Sequence, residues 1–223
     1  MVKTLDRSPT IKHAFLNEHY HSTFGAIQES NHVFIQAGIQ AHGKRELNIL
    51  ELGFGTGLNV WLTALYAKEH SFKIQIDTFE KFPLSKEVST AYLEALIQED
   101  LCTQDGAALF RSLLDCAWNE NYQLNDNCSC SKFDMDITSL KSHAHYDIVF
   151  FDAFNPDVQP ELWTEEIFKL MYSALKSDGI LVTYCAKGQV RRNLKAAGFS
   201  IEKIAGPPGK REMTRAIKHA QII

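Results

Sequence analysis

Apolar residues recur along this chain in two alternating patterns. From residue 47 onward, short apolar or every-second-residue runs, typical of strands, alternate with longer runs of helical periodicity. This order predicts an α/β fold with a mostly parallel sheet. We predict helices that include residues 58–70 and 160–176. We predict seven strands, at residues 47–51, 73–80, 131–136, 146–152, 180–185, 199–205 and 212–220.

The first 46 residues lack this alternation. Residues 13–18 predict a helix, residues 25–29 predict a turn, and residues 31–38 fit either a helix or a strand. A chain of 223 residues favours one α/β domain with appendages over two full domains. We therefore expect residues 1–46 to form an N-terminal extension that caps the substrate side of a single domain over residues 47–223.

Composition narrows the class of protein. No run approaches the roughly 20 apolar residues of a transmembrane helix, and charged residues interrupt the first 20 positions as they would not in a signal peptide. The five cysteines lack disulfide-like spacing, so we expect a cytoplasmic protein with no membrane partner. Cys128 and Cys130 lie in a polar segment without a second ligand pair at zinc spacing, so we expect no metal.

Charge is distributed unevenly along the chain. The formal net charge is −4, but residues 187–223 contain nine basic and two acidic residues. That segment therefore carries +7 and leaves −11 for residues 1–186. A basic segment on an acidic protein fits a face that meets phosphate. Solvated lysines on a terminal helix and hairpin would give the same composition.

A glycine-rich turn follows the first predicted strand. Glu51 ends the strand, and Gly53, Gly55 and Gly57 alternate through the turn. Such turns hold nucleosides at the carboxyl ends of strands, since glycine permits positive φ and a close ligand. Leu58 stands where the dinucleotide fingerprint needs a small residue, and the Glu51 carboxylate suits a cation better than a pyrophosphate. The turn resembles the cofactor loop of class I methyltransferases, whose ligand is S-adenosylmethionine; a turn without a ligand is the alternative.

Acidic residues end the next two predicted strands. Glu80 ends the second, where one carboxylate can accept from both hydroxyls of a ribose. Asp136 ends the third, where the methyltransferase architecture places the exocyclic amine of adenine. Asp136 would alternatively cap a helix that begins at residue 137.

The reaction is expected at the end of the fourth predicted strand, in Asp152-Ala153-Phe154-Asn155-Pro156. Amino-group methyltransferases commonly carry an [Asp/Asn]-Pro-Pro-aromatic turn there, which this sequence resembles without matching. A primary amine must point its lone pair along the S–CH3 bond, so acceptors must fix its hydrogens. We expect Asp152 and the Asn155 carbonyl to do this, and Phe154 to stack on the attached base. Asp152 as a capping acid at a strand end is the alternative.

Several motifs together resemble one family. They are Glu51-Leu-Gly-Phe-Gly-Thr-Gly-Leu-Asn59, Glu80-Lys-Phe-Pro-Leu84, Phe151-Asp-Ala-Phe-Asn-Pro156 and Gly209-Lys-Arg-Glu-Met213, preceded by a similar segment from residue 20 to residue 34. On these motifs the chain resembles the methyltransferase family of the bacterial tRNA wobble-uridine modification protein, which completes 5-methylaminomethyl-2-thiouridine. The resemblance implies a class I methyltransferase that methylates the amine of 5-aminomethyluridine in the tRNA anticodon. It also implies that Phe54, Asn59, Lys81 and Asp152 join the cofactor site.

The resemblance has consequences for partners. The best-known members of the family carry a second, FAD-dependent domain that removes a carboxymethyl group from the precursor, and no part of this sequence is long enough for that domain. A stand-alone methyltransferase would then depend on a separate FAD-dependent oxidoreductase or on another enzyme that makes aminomethyluridine. A polar insertion at residues 118–131 departs from the family pattern, and the sequence indicates no role for it.

Four basic residues are candidates for contacting the tRNA anticodon stem. Arg191 and Arg192 open a predicted helix, and Lys210 and Arg211 lie in the turn before the last strand. An ion pair between Arg211 and Glu212 that only pins this turn is the alternative. Two other functions stay open: a non-catalytic adenosylmethionine-binding module, and a small-amine N-methyltransferase, for which no basic tail would be expected.

Overall fold

An eight-stranded sheet forms the centre of the fold in the computed structural model, which describes residues 1–13 and 16–220. The order across the sheet is β5-β6-β4-β3-β7-β8-β10-β9, with β3, β4, β6, β7 and β8 parallel. Two short strands, β1 (Val2–Lys3) and β2 (Pro9–Thr10), pair apart from it. The strands of the large sheet are β3 (Glu46–Leu52), β4 (Lys73–Glu80), β5 (Asn121–Asn125), β6 (Cys128–Asp134), β7 (Tyr146–Phe151), β8 (Leu175–Thr183), β9 (Ser200–Ala205) and β10 (Glu212–Ile217).

Helices cover both faces of the sheet. Leu47 and Ile49 of β3 pack into the core on one face and Leu50 and Leu52 into the core on the other, as the two-residue repeat of a strand requires. The helices are α1 (Ala26–Ser30), which continues as a π-helix over Asn31–Gln40, α2 (Leu58–His70), α3 (Lys86–Gln98), α4 (Gln104–Asp115), α5 (Glu165–Ala174) and α6 (Gly188–Ala196). Single 3-10 turns lie at Ile137–Ser139 and Pro160–Trp163. Within the described residues, no helix has the length and apolar character needed to cross a membrane.

The predicted α/β class is confirmed, and the seven predicted strands correspond to seven of the eight strands of the large sheet. The eighth, β5, comes from the polar insertion at residues 118–131, which folds back antiparallel on β6. A turn closed by the Asn125 side chain, which accepts from the Asn127 backbone N–H at 2.8 Å, joins the two strands. Because β5 is an exposed edge strand, its polar residues gave no apolar signal.

The hairpin also changes the placement of two cysteines and one acid. Cys128 and Cys130 lie in β6 and are buried, so their assignment to a polar loop was wrong. The strand ends at Asp134, and Asp136 lies beyond it at the start of the 3-10 turn. The observed strand therefore begins three residues and ends two residues before the predicted third strand.

The segment between α5 and β8 also differs from its prediction. The helix ends at Ala174, and β8 begins at once and runs through Asp178, which has a φ of 62°. Pairing with β7 moves from Tyr146–Leu175 to Ile148–Ile180, so residues 177–179, which separate the predicted helix from the predicted strand, form an irregularity within one strand.

The N-terminal 46 residues pack against the sheet. The π-helix lies over β7, with the ring centroids of Phe34 and Phe150 4.9 Å apart, so residues 31–38 are helical. Lys12 and His19 form an antiparallel bridge, and His13 N–H donates to the Glu18 carbonyl. The helix predicted at 13–18 is therefore wrong for its described residues, and residues 14 and 15 of that prediction lie outside them. The domain boundary after residue 46 stays a prediction.

Candidate functional site

A cavity of about 520 Å³ opens at the carboxyl ends of the central strands. The sheet order places β3 between β4 and β7, so the segments that follow these three strands meet at one edge. Residues 18–24 and the turn at Gly209 and Lys210 close the other side. Most of the residues predicted to bind cofactor or substrate therefore come together around one cavity.

The glycine turn has the backbone conformation that its sequence predicts. Gly53, Gly55 and Gly57 all have positive φ, at 95°, 51° and 84°. A Cβ on Gly53 would lie 2.8 Å from the Asp152 carbonyl oxygen, and a Cβ on Gly55 would lie 3.1 Å from the Tyr20 ring. Only glycine combines this conformation with this closeness without strain.

The carboxylate of Glu80 lies against the same turn. Its Oε2 accepts from Gly55 N–H at 3.1 Å and its Oε1 accepts from Phe82 N–H at 2.9 Å. Each carboxylate oxygen can accept a further hydrogen bond, so these contacts leave capacity for a ligand hydroxyl. The predicted ribose contact is compatible with this position and stays a prediction.

Glu51 is buried beneath the turn and is not among the residues that line the cavity. Both of its carboxyl oxygen atoms lack a hydrogen-bond partner. The side chains of Thr78 and Asn59 lie beside Glu51, but neither donates a hydrogen bond to its carboxyl group. Burial, with smaller contributions from the nearby Asp152 and Glu80 charges, raises the pKa of Glu51 to about 8.

Asp152 is a half-buried acid that does open into the cavity. Asn59 Nδ2 donates to its Oδ2 at 2.8 Å. Burial raises the pKa of Asp152 to about 7; the Asn59 hydrogen bond opposes this rise and the charge of Glu29 adds to it. Asn59, predicted to bind the cofactor, is thus the residue that holds Asp152 in place.

The turn after Asp152 is fixed by its own carbonyl groups. The Ala153 carbonyl accepts from Tyr184 Oη at 2.9 Å, and the Phe154 carbonyl accepts from Trp163 Nε1 at 2.8 Å. The Asn155 carbonyl accepts from the backbone N–H groups of residues 158 and 159 at 2.9 and 3.0 Å. Its two lone pairs are therefore occupied, and the prediction that this carbonyl orients the amine is wrong.

Aromatic side chains form one wall of the cavity. The Phe154 ring meets the Tyr20 ring edge-on with centroids 5.0 Å apart, and it meets the His13 ring in the same way at 5.4 Å. The ring of Phe54 instead packs against Trp118 at 5.6 Å and is buried. Phe154 therefore faces the cavity beside Tyr20, whereas Phe54 braces the glycine turn against the hairpin insertion.

Lys81 and Asp136 form an ion pair at 2.8 Å on the cavity rim. Asp136 also accepts from Thr138 N–H at 2.9 Å and so caps the 3-10 turn, which was the alternative interpretation of this residue. The pKa of Asp136 is lowered to about 2, and the hydrogen bond from Lys81 makes the largest contribution. The exposed apolar side chains of Phe82 and Met135 lie beside the pair.

The four basic residues predicted to contact tRNA have different surroundings: Arg191 is buried, Arg192 and Arg211 are exposed, and Lys210 lines the cavity. Arg191 is buried and donates to the Thr214 hydroxyl, the Glu212 carboxylate and the Met213 carbonyl at 3.0–3.2 Å, so its assignment to tRNA binding was wrong. Arg192 and Arg211 are exposed. Glu212 pairs with Arg191, and no Arg211–Glu212 ion pair is present in the described part of the chain.

Lys210 points into the cavity and not outward. Its Nζ lies 2.7 Å from Glu29 Oε1 and 3.9 Å from the centroid of the Tyr184 ring. Sequence reasoning missed Glu29, which lies in the N-terminal segment, and Tyr184, which lies next to last in the predicted strand 180–185, because their partner Lys210 comes from a distant turn.

His21 was also missed as a site residue. It is buried, with its Nε2 3.0 Å from Thr56 Oγ1, and burial lowers its pKa to about 4. It therefore joins the N-terminal wall to the glycine turn as a neutral ring. Its position in the segment at residues 20–34, which resembles the family, was the one sequence feature that could have indicated a role in the site.

The cavity suits a cationic nucleoside. A cradle of left-handed glycines lies beside Glu80, and burial raises the pKa values of two carboxyl groups, the buried Glu51 and the half-buried Asp152. A sulfonium or ammonium would stabilise their ionised forms. S-adenosylmethionine carries both groups together with a ribose.

Comparison with known proteins agrees with this chemistry. A family model described as S-adenosyl-L-methionine-dependent methyltransferase matches residues 118–219. The tRNA 5-methylaminomethyl-2-thiouridine biosynthesis bifunctional protein MnmC of Pseudoalteromonas translucida is 30% identical over 87% of this chain, and that of Nitrosospira multiformis is 32% identical over 87%. These matches cover 32% and 33% of the relatives, so the chain spans about a third of their length.

A solved structure agrees as well. MNMC2 from Aquifex aeolicus is 27% identical and superimposes with a TM-score of 0.77, covering 98% of this chain and 69% of that one. The strand order of the sheet, the glycine turn and these relatives lead to one conclusion. The chain has the fold of S-adenosyl-L-methionine-dependent methyltransferases, binds S-adenosylmethionine, and is similar over most of its length to the tRNA 5-methylaminomethyl-2-thiouridine biosynthesis proteins.

Proposed function

We propose that this chain transfers a methyl group from S-adenosylmethionine to the amino group of 5-aminomethyluridine, 2-thiolated or not, at the tRNA wobble position. One observation carries the proposal: Asp152, fixed by Asn59, opens into the cavity between the glycine turn and the aromatic wall. The relatives named for biosynthesis of the methylaminomethyl nucleoside supply the substrate class.

The cofactor half of the cavity lies on the side of β3 and β4. We assign the backbone of Gly53 and Gly55, in the turn that Gly57 completes, to the methionine part, Glu80 to the ribose hydroxyls, and the rim at Lys81 and Asp136 to the adenine. When bound, S-adenosylmethionine supplies an electrophilic methyl group on a sulfonium. Glu51 lies beneath this half, so its ionised form would favour the positive charge above it.

The acceptor half lies on the side of β7. Asn59 occupies Oδ2 of Asp152, so we assign Oδ1 to an N–H of the acceptor amine. This contact turns the nitrogen lone pair toward the methyl group, and such alignment can supply several kcal/mol of barrier lowering, up to about 7–11 in the best intramolecular models. A pKa of about 7 also lets Asp152 take the proton that the methylated nitrogen loses.

The aromatic wall would hold the base. The rings of Phe154 and Tyr20 are set edge to face, which leaves an aromatic surface on which uracil can stack. Tyr20 comes from the N-terminal segment. This placement supports a substrate-side role for residues 1–46.

The proposal extends to partners and location. Exposed Arg192 and Arg211 are proposed to contact phosphates of the anticodon stem. We propose that an FAD-dependent oxidoreductase, or the enzyme that makes aminomethyluridine, supplies the substrate. We also propose a cytoplasmic location, which five free cysteines among the described residues support.

The proposal is tested with tRNA from cells that lack the activity. The purified chain, labelled S-adenosylmethionine and bulk tRNA are incubated, and the digested nucleosides are separated. Label in 5-methylaminomethyluridine or its 2-thio form is the expected result. Label found only in protein or in small amines would contradict the proposal.

A further inference from the structure

Lys210 places a primary ammonium inside the cavity beside Asp152. Its Nζ lies 2.7 Å from Glu29 Oε1 and 3.9 Å from the centre of the Tyr184 ring. A carboxylate on one side and an aromatic face on the other are two groups that recognise an alkylammonium. The protein thus displays an ammonium-binding site with its own side chain in it.

Both groups of this site are held in place. Glu29 is buried, and its second oxygen accepts from Ser22 N–H at 2.9 Å. Tyr184 donates through its hydroxyl to the Ala153 carbonyl, the residue directly after Asp152. The site is therefore rigid and adjoins the proposed acceptor half of the cavity.

The ammonium itself is the adaptable part. Lys210 follows the turn that ends at Gly209, and its long flexible side chain is a third exposed. The side chain can leave the site without breaking the contacts that fix Glu29 and Tyr184.

We propose that the Glu29 carboxylate and the Tyr184 ring form the binding site for the amino group of the acceptor, and that the Lys210 ammonium occupies this site until the substrate displaces it. The inference rests on the proposed function, because an aminomethyl group carries a primary ammonium on a methylene group, as the end of a lysine side chain does.

The test compares two anticodon stem-loop RNAs, one with 5-aminomethyluridine and one with unmodified uridine at the same position. Affinities are measured with S-adenosylhomocysteine present, so that no transfer occurs. The ratio of the two affinities reports recognition of the amine, since phosphate contacts affect both RNAs equally. Glu29→Gln keeps an oxygen for Ser22 and is expected to lower this ratio about 10-fold, the effect of losing a charge-assisted hydrogen bond.

Lys210→Met is expected to raise the ratio about threefold or more, even where both RNAs bind more weakly. Lys203→Met, an exposed lysine on β9, is the matched control and should leave the ratio unchanged. A ratio unchanged in Glu29→Gln, or unchanged or lowered in Lys210→Met, would overturn the inference. Methyl transfer by the wild-type chain to the aminomethyl RNA separates the outcomes: its absence refutes the proposed function, whereas transfer with insensitive ratios refutes this inference alone.

Discussion

Asn59, in the first turn of α2, donates to Asp152 at the end of β7, with 2.8 Å between Nδ2 and Oδ2. This hydrogen bond joins the glycine turn that precedes α2 to the acid proposed to orient the acceptor. Because it favours the ionised carboxylate, it restrains the rise in pKa that burial imposes on Asp152. The same contact therefore sets both the direction and the charge of the acid.

Replacing Asn59 by Leu should shift the activity profile to higher pH. Without the amide donor, the pKa of Asp152 rises above about 7, and the ionised form is reached only at higher pH. The measurement is kcat/KM against pH for wild type and variant. An acidic limb that stays at the same pH in Asn59→Leu would show that Asp152 does not control it.

Glu51 should make the fold less stable as pH rises. Its pKa is near 4.5 when unfolded and about 8 when folded, so the folded state holds the extra proton between these values. The free energy of unfolding must therefore fall as pH rises from about 4.5 to about 8 and level off above it. Glu51→Gln should remove this fall and be more stable than wild type at pH 8 by about 2–5 kcal/mol, at about 1.4 kcal/mol per pKa unit.

Urea unfolding at pH 5 and pH 8 measures this difference. The two proteins should differ little at pH 5, because this pH lies only about half a unit above the unfolded pKa of Glu51 and the folded state is still protonated. The free energy of unfolding should fall more from pH 5 to pH 8 in the wild type than in Glu51→Gln. An equal or smaller fall in the wild type would contradict the burial assigned to this carboxyl.

Gly55→Val should abolish binding of S-adenosylmethionine. The added side chain is strained at a φ of 51° and meets the Tyr20 ring across the glycine turn. Gly43→Val is the matched control, since Gly43 has a φ of 81° but nothing within 4 Å of an added Cβ. Titration calorimetry measures the affinity for S-adenosylmethionine, on variants that circular dichroism shows to be folded. Equal affinities in the two variants would remove the turn from the cofactor site.

The sequence predicted the parts of this fold that depend on local pattern. The bounds of α2 and β4 agree to the residue, and the glycines of the turn adopt the left-handed conformations expected of them. Local pattern also located Asp152 at a strand end. In these elements burial repeats with the period of the element, so the sequence carries the signal.

Contacts between distant segments were not predictable in this way. Arg191 looks like a surface base, but β10 supplies three partners that bury it. Lys210 looks like a phosphate ligand, but Glu29, remote in sequence, draws it into the cavity. The β5 hairpin was missed because an exposed edge strand needs few apolar residues.

Removing two exposed arginines should weaken tRNA binding without affecting the cofactor. Arg192→Ala combined with Arg211→Ala should also reduce the slope of log affinity against log salt by about one to two, because each phosphate contact releases counterions. Arg45→Ala with Lys68→Ala removes the same charge near the start of β3 and in the last turn of α2, at the opposite edge of the sheet. Equal salt slopes in the two double variants would place the tRNA elsewhere.

Methyl transfer to one defined RNA tests the central claim most directly. An anticodon stem-loop with a single 5-aminomethyluridine is incubated with the chain and S-adenosylmethionine, and the product is identified by mass spectrometry of its nucleosides. The account predicts one added methyl group, on the aminomethyl nitrogen, with kcat about 10²-fold lower in Asp152→Asn and with cofactor affinity little changed. An unmethylated RNA under conditions where the cofactor binds, or an equal rate in Asp152→Asn, would contradict it.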